Sequence, residues 1–385
     1  MAGMQTQTER GAHTTHCVLD ARTATDHFPG IGRYVINLAR ALPQVAPSLP
    51  LSLLCDPVAP TMRLPLPGLP HILCPDGPFS LRQQWSVPRQ LHQQRATLYH
   101  SPYYLMPYRA NVPTVLTVYD LIPLIFPRYF SAAQRVIYRG AHHLALRAAR
   151  VILAISQATK SDLIHYFHVV PERIVVTPLA ADDHFHPQPP AAIAAMRRKY
   201  GLSDSYLLYV GSNKPHKNLA RLVRAFSQFT FAPPTADLQL VLAGPWDPRY
   251  PQAKKSVVEL GLQGRVLFLP DVPEEDLPAL YSGAMVFVFP SEYEGFGLPV
   301  LEAMACGAPA ICSGASSLPE VAGNAAIAID PADVSGLFAA ISRLLGDDAL
   351  RQEMKERGLA QAARFSWRRT AQETASAYRT MMQAG

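Results

Sequence analysis

SEYEGFGLPVLEAMACGAPAI, residues 291–311, reads as a turn and then a helix, entered from the apolar run AMVFVFP at 284–290. That run suits a buried strand and falls far short of the roughly 18 residues of a membrane span. Glu294, Gly295 and Gly297 occupy the turn, and Pro299 can sit in the first helical turn because no partner awaits its missing N–H there. The amides of Phe296, Gly297 and Leu298 then face whatever precedes the helix, with the positive end of its dipole behind them. Such a turn takes an anion, and glycine at 295 and 297 lets the chain approach it closely. Glu294 and Glu302 are poor neighbours for a bare phosphate and good ones for hydroxyls. Phosphate together with several hydroxyls describes a nucleotide sugar. The plainer alternatives make Glu294 a capping carboxylate and Glu302 a helix former. Their coincidence with both glycines and Pro299 favours the ligand.

Outward from this stretch, short aliphatic runs alternate with helical ones. HCVLD (16–20), LSLLC (51–55), TVLTVYD (114–120), RVILAIS (150–156) and RIVVTP (173–178) precede a break at ADDHFHPQPP (181–190). YLLYVG (206–211), LQLVLAG (238–244), RVLFLP (265–270), MVFVFPS (285–291), APAICS (308–313) and AAIAID (325–330) follow it. Continuous apolar strands separated by helices imply parallel sheets covered on both faces, an α/β chain of two doubly wound, Rossmann-like domains. We expect a tail at 1–16, a first domain at 17–182, a second at 183–362, and a last helix at 363–385 that can return to the first domain. In such sheets ligands bind beyond the carboxyl ends of the strands, here in a cleft between the domains.

The net charge of +6 is unevenly placed. Residues 1–182 carry a net +7 and residues 183–385 a net −1. Arg128, Arg135, Arg139 and Arg147 make the densest basic stretch, which suits an anionic membrane surface or an anionic acceptor. No aromatic interleaving marks it for nucleic acid. The polar first residues lack the pattern of a signal peptide, and the odd set of five cysteines has no C-x-x-C pair. Buried thiols in a reducing cytoplasm, with the chain peripheral at the inner membrane face, is the expectation. No D-x-D occurs and no His/Cys spacing signals a metal, so neither a metal nor another cofactor is expected.

The E-G-F-G-L-P-V-L-E run, with A-M-A-C-G-A-P-A-I after it, resembles the E-x7-E motif of retaining glycosyltransferases of family 4, which have the GT-B fold. GIGRYVINLARAL (30–42), TVYDLIPLIFPRYF (117–130), ILAISQATKSDLIHYF (152–167), PERIVVTPLAADDHFHP (171–187) and YVGSNKPHKNLARLVRAF (209–226) extend the likeness over nearly the whole chain. Bacterial mannosyltransferases that build polysaccharides are similar by motif. The resemblance implies transfer of a hexose, mannose favoured, from a nucleotide diphosphate sugar, GDP-mannose favoured, to a hydroxyl of a glycan or lipid-linked acceptor.

By the same resemblance Lys217 pairs with the donor diphosphate, Glu294 meets hydroxyls of the transferred sugar, and Glu302 meets the ribose. His216 stands where relatives often carry arginine, and Ser212 where a subset carries a second one. Gly244 and Leu269 line the base pocket, and Gly295, Phe296, Gly297 and Leu298 cradle the phosphates. Gly30 and Gly32 form a loop ahead of a helix starting near Arg33, closing over donor and acceptor. Tyr119 and Asp120 end a first-domain strand at the cleft, Tyr119 where many relatives have histidine. Arg33, His100 and Tyr103 are acceptor-side candidates. Gly30-x-Gly32 also imitates a dinucleotide fingerprint, but residues 21–29 separate it from its strand, against NAD. The competing readings are a nucleotide-sugar epimerase of the same fold and a catalytically silent nucleotide-sugar-binding subunit.

Overall fold

A computed structural model describes residues 15–25, 29–57, 68–229 and 235–383. Most of the tail expected at 1–16 lies outside these residues. Seven strands form the first sheet: β1 (Cys17–Asp20), β2 (Leu51–Cys55), β3 (His71–Leu73), β4 (Leu98–Ser101), β5 (Thr114–Val118), β6 (Val151–Ala154) and β7 (Ile174–Val176). Their order is β3-β2-β1-β4-β5-β6-β7. The second sheet has six: β8 (Tyr206–Val210), β9 (Gln239–Ala243), β10 (Val266–Leu269), β11 (Val286–Phe289), β12 (Ala310–Ser313) and β13 (Ala326–Ile329), in the order β10-β9-β8-β11-β12-β13. Both are parallel and doubly wound, as the uninterrupted apolar strands require. By contact density one compact unit comprises Met1–Thr117, Ile137–Leu153 and Ala371–Gly385, and the other Val118–Val136 and Ala154–Thr370.

In the second sheet the order reverses between β8 and β11, so the crevice for a ligand opens beyond the carboxyl ends of those two strands. Tyr206–Val210 and Val286–Phe289 are buried along their whole length, which fixes where the chain leaves the sheet on either side of that crevice.

β3 and β4 carry no clear signal in the sequence. In LYHS the polar His100 interrupts what would otherwise be an apolar run, yet the strand is wholly buried. His100 satisfies both ring nitrogens, meeting Tyr378 Oη at 2.6 Å and Thr117 Oγ1 at 2.7 Å. Of the two readings open for His100, an acceptor-side contact or a satisfied histidine, the structure takes the second: it is 0% exposed, a hydrogen-bonded core residue. The helix expected to start near Arg33 starts at Pro29 instead, so Gly30 and Gly32 lie in its first turn rather than in a loop before it. Proline is tolerated there, and starting the helix at it costs nothing. Arg33 is half-buried on that helix, its carbonyl accepting a bond from Asn37 at 3.0 Å. The last helix, Trp367–Gln383, buries Thr370, Ala371, Thr374, Tyr378 and Met381 along one face. Among the described residues no helix is long and apolar enough to cross a membrane.

Burial lowers the pKa of His100, His142 and His216 to about 3 each. Unfolded, a histidine takes up a proton near pH 6.5 that these folded sites refuse until far lower pH. Stability is therefore complete above about pH 6.5 and declines toward pH 3, by roughly 2 kcal/mol per histidine at pH 5. Thermal melts at pH 7.5 and 5.0 should show a clear drop in Tm, smaller in His216→Gln; a Tm unchanged across that range would contradict the burial of neutral imidazoles.

Candidate active site

After β8 the chain makes a short 3-10 turn, Pro215–Lys217, and enters the helix Leu219–Phe226 through Asn218. Asn218 has φ +65°, a left-handed conformation that asparagine tolerates better than most residues. Its amide donates to the carbonyls of Pro290 at 3.1 Å and Pro331 at 2.6 Å, tying the turn to the end of β11. Lys217 is thereby held over the ring of Phe289, 5.6 Å from its centroid. Its Nζ donates to both carboxylate oxygens of Glu294, each at 2.7 Å. The two side chains are only 15% and 10% exposed, so the pair is largely withdrawn from water.

Glu294 opens the loop before the helix Leu298–Ala305. Its amide donates to Ser316 Oγ at 2.8 Å, and Ser317 Oγ donates to the carbonyls of Glu294 (2.9 Å) and Phe296 (2.8 Å). Ser316 itself has φ +53°, a strained value for serine that the loop maintains. Gly297 has φ +103°, which bars a side chain, and it is the residue from which the helix departs. At Gly295 a Cβ would lie 2.2 Å from the carbonyl oxygen of Tyr119. That glycine is demanded by backbone packed on backbone. Thr159 Oγ1 donates to the same Tyr119 carbonyl at 2.9 Å. Asp120 follows, half-buried, with its carboxyl raised above the usual range by desolvation and drawn back by the Ile122 amide it accepts from at 3.1 Å and by Lys217.

Glu302 is placed differently from Glu294. It is 3% exposed, and Tyr281 Oη donates to its Oε2 at 2.9 Å. His216 is buried and stacked on Phe126, ring centroids 5.7 Å apart. Desolvation first, then the lysines at 217 and 214, keep it neutral, so it adds no cation to a diphosphate clamp. Ser212 is half-buried and its carbonyl accepts from Tyr209 Oη at 2.8 Å. At the carboxyl end of β9, a Cβ on Gly244 would lie 2.6 Å from the carbonyl oxygen of Gly211, while its amide donates to Leu269, the last residue of β10, at 2.8 Å. Tyr103, in the other unit, is half-buried between Phe79 and Tyr104.

Sequence reasoning missed Asn218, Ser316, Ser317, Thr159 and Glu320. The run GASSLPE (314–320) was the available signal, small residues just before a proline-opened helix. Glu320 accepts from the amides of Gln157 (2.8 Å) and Ala158 (3.0 Å), and Ser156 Oγ from that of Thr159 (3.0 Å). A carboxylate thus already occupies the amino end of the helix Gln157–Phe167, which removes that end as a seat for an external anion. A lysine, a carboxylate and a run of amides ahead of a helix can neutralise a diphosphate and hold a hydroxyl beside it.

Comparison with known proteins identifies a sugar-transferring enzyme on this fold. Family models described as "Glycosyltransferase Family 4" and "Glycosyl transferases group 1" match residues 29–185 and 193–361. The chain is 37% identical over 304 residues to O-antigen chain mannosyltransferase B of Escherichia coli, covering 78% of this chain and 77% of that protein. It belongs to glycosyltransferase family 4 and is a glycosyltransferase of the GT-B fold. Serotype-specific mannosyltransferase WbdA of Escherichia coli is 33% identical over 285 residues, 71% of this chain and 34% of that longer protein. Among solved structures, sucrose-phosphate synthase from Thermosynechococcus elongatus superposes with a TM-score of 0.76 at 23% identity, covering 96% of this chain and all (100%) of that one. Anabaena HepE, in complex with UDP and glucose, superposes at 0.74 with 19% identity over 95% and 100% of the two chains. Both likenesses concern the fold.

Proposed function

We propose that this glycosyltransferase moves a mannosyl residue from GDP-mannose to a hydroxyl of a glycan or lipid-linked acceptor, with retention of configuration and without a metal ion. The observation that carries the reading is the Lys217–Glu294 pair at the mouth of the Glu294–Leu298 loop. Lys217 would exchange its carboxylate partner for the donor diphosphate, stabilising the leaving group as the glycosidic bond breaks. Glu294, released from it, would accept hydroxyls of the sugar. Glu302 is assigned the ribose hydroxyls, its carboxylate oriented by Tyr281. Gly244 and Leu269 border the base. The acceptor oxygen forms the new glycosidic bond as the bond from the sugar to the donor phosphate breaks, and the hydroxyl proton passes to a donor phosphate oxygen. The mannosyl preference draws support from the named activities of the relatives. Thermal-shift screening against GDP-, UDP- and ADP-sugars, followed by transfer assays, tests it: GDP-mannose should raise Tm most, and a larger shift with another donor would reassign the sugar or base.

The basic stretch is proposed to dock on an anionic membrane. The helix Ala132–Ala148 exposes Val136 (72%) and Ile137 (69%) with Leu144, Arg139 and Arg147. Apolar side chains flanked by arginines suit the headgroup boundary, each arginine adding about 1 kcal/mol at low salt. Arg128 instead faces Glu292 at 3.7 Å, and Arg135 is half-buried, so neither leads the contact. Arg139→Glu with Arg147→Glu should cut sedimentation with phosphatidylglycerol vesicles by roughly tenfold or more, and binding that ignores both charge reversal and salt would exclude the surface.

A further inference from the structure

Residues 181–190, read from the sequence as the break between the domains, bring a second group of chemically active side chains together. Asp182, His184 and Glu274 each offer a donor atom, and these atoms lie within 4.8 Å of one another. They come from distant places: two from the segment after β7, the third from the 3-10 turn Glu274–Asp276 after β10. His184 Nε2 stands 3.5 Å from Glu274 Oε1, the side chains being 36% and 21% exposed. Yet that nitrogen is itself buried and makes no hydrogen bond among the described residues. It is close to the carboxylate but not aligned to share a proton with it. The remaining carboxylate is oriented from behind, since Trp367 Nε1 donates to Asp182 Oδ1 at 3.0 Å.

We propose that Asp182, His184 and Glu274 bind one divalent transition-metal ion, of which Zn2+ is the probe, at a site separate from Lys217 and Glu294. Two ligands of a tetrahedral ion with bonds of about 2.0–2.2 Å lie about 3.4 Å apart, close to the observed His184–Glu274 separation. An imidazole with two carboxylates selects such an ion over Mg2+ or Ca2+, which prefer all-oxygen shells. The Trp367 contact is the supporting hydrogen bond that ligating carboxylates usually have. Binding would fasten the 182–184 segment to the turn Glu274–Asp276 and to the start of the helix Trp367–Gln383, stiffening the chain where it passes from one sheet to the next. Spacing in the sequence could not reveal the group, because Glu274 is far from the other two along the chain.

Titration calorimetry of the full-length, untagged, chelator-stripped protein with ZnCl2 tests this. One equivalent should bind, with His184→Ala and Glu274→Gln each weakening affinity at least tenfold and Trp367→Phe weakening it by about tenfold. Without metal all variants should melt within a few degrees of the parent. Zn2+ at a hundredfold over the parent's Kd should raise the parent Tm by roughly 5–11 °C and that of His184→Ala by about half as much or less. Absence of stoichiometric binding, unchanged affinity in both His184→Ala and Glu274→Gln, or equal affinity for Mg2+ would overturn the proposal.

Discussion

Lys217→Ala is expected to lower the rate of sugar transfer by at least roughly 10²–10³-fold, the usual loss when one stabiliser of developing charge is removed. The structure adds a second consequence. Lys217 is the cation that satisfies both oxygens of the mostly buried Glu294 carboxylate. Removing it strands that charge, which should cost about 2–3 kcal/mol, somewhat under the roughly 3–5 kcal/mol of a fully buried pair because some exposure remains. Glu294→Gln should inactivate to a similar degree with a somewhat smaller loss of stability, because the amide oxygen can still accept from the Lys217 ammonium whose counter-charge is gone. The pair Lys217→Met with Glu294→Gln should therefore recover most of the stability that Lys217→Ala loses while recovering none of the transfer. Urea unfolding beside a donor-turnover assay separates the two effects. Near-normal turnover in Lys217→Ala would remove this lysine from the donor site, whatever its stability.

The second large effect belongs to Gly244→Ala. A methyl group there would meet the Gly211 backbone at 2.6 Å from its carbonyl oxygen and 3.1 Å from its nitrogen, and the residue has φ +120°. Neither a rotamer change nor a side-chain shift can relieve a clash with main chain. Strand ends β8 and β9 would have to part, breaking the bonds from Gly211 to Ala243 and from Gly244 to Leu269. A loss of about 3 kcal/mol or more follows from combined strain and lost ladder, or roughly 6–12 °C in Tm for a unit of this size. Gly30→Ala is the control: among the described residues nothing lies within 4 Å of its added methyl, and it sits in a helix, where alanine is preferred. It should leave Tm unchanged or slightly raised, whereas equal losses at both positions would mean that close backbone packing is not the cause.

Much of the molecule was legible from local pattern. The apolar runs around 51–55, 206–211 and 285–291 are strands because continuous β-branched and aliphatic residues suit a sheet buried on both faces. The Glu294–Leu298 loop followed from glycine and proline chemistry alone. LYHS did not read as a strand, because its two polar residues are satisfied only by partners supplied from elsewhere: Thr117 and Tyr378 for His100, the carbonyl of Tyr103 for Ser101. Glycine at 295 suggested close approach correctly, but the approaching group is the Tyr119 carbonyl, which no reading of EGFG could name.

Sequence by itself therefore determined the two doubly wound sheets and the glycine- and proline-shaped turn ahead of the helix Leu298–Ala305. Those are properties of short segments, set by periodicity, backbone freedom and charge. Only the tertiary structure decided which of those residues face one another: that Lys217 holds Glu294, that Glu302 turns to Tyr281, that His216 is neutral against Phe126, and that His184 meets Glu274. Such pairings depend on where strands far apart in the chain end in space, and on how much water remains between the groups they carry.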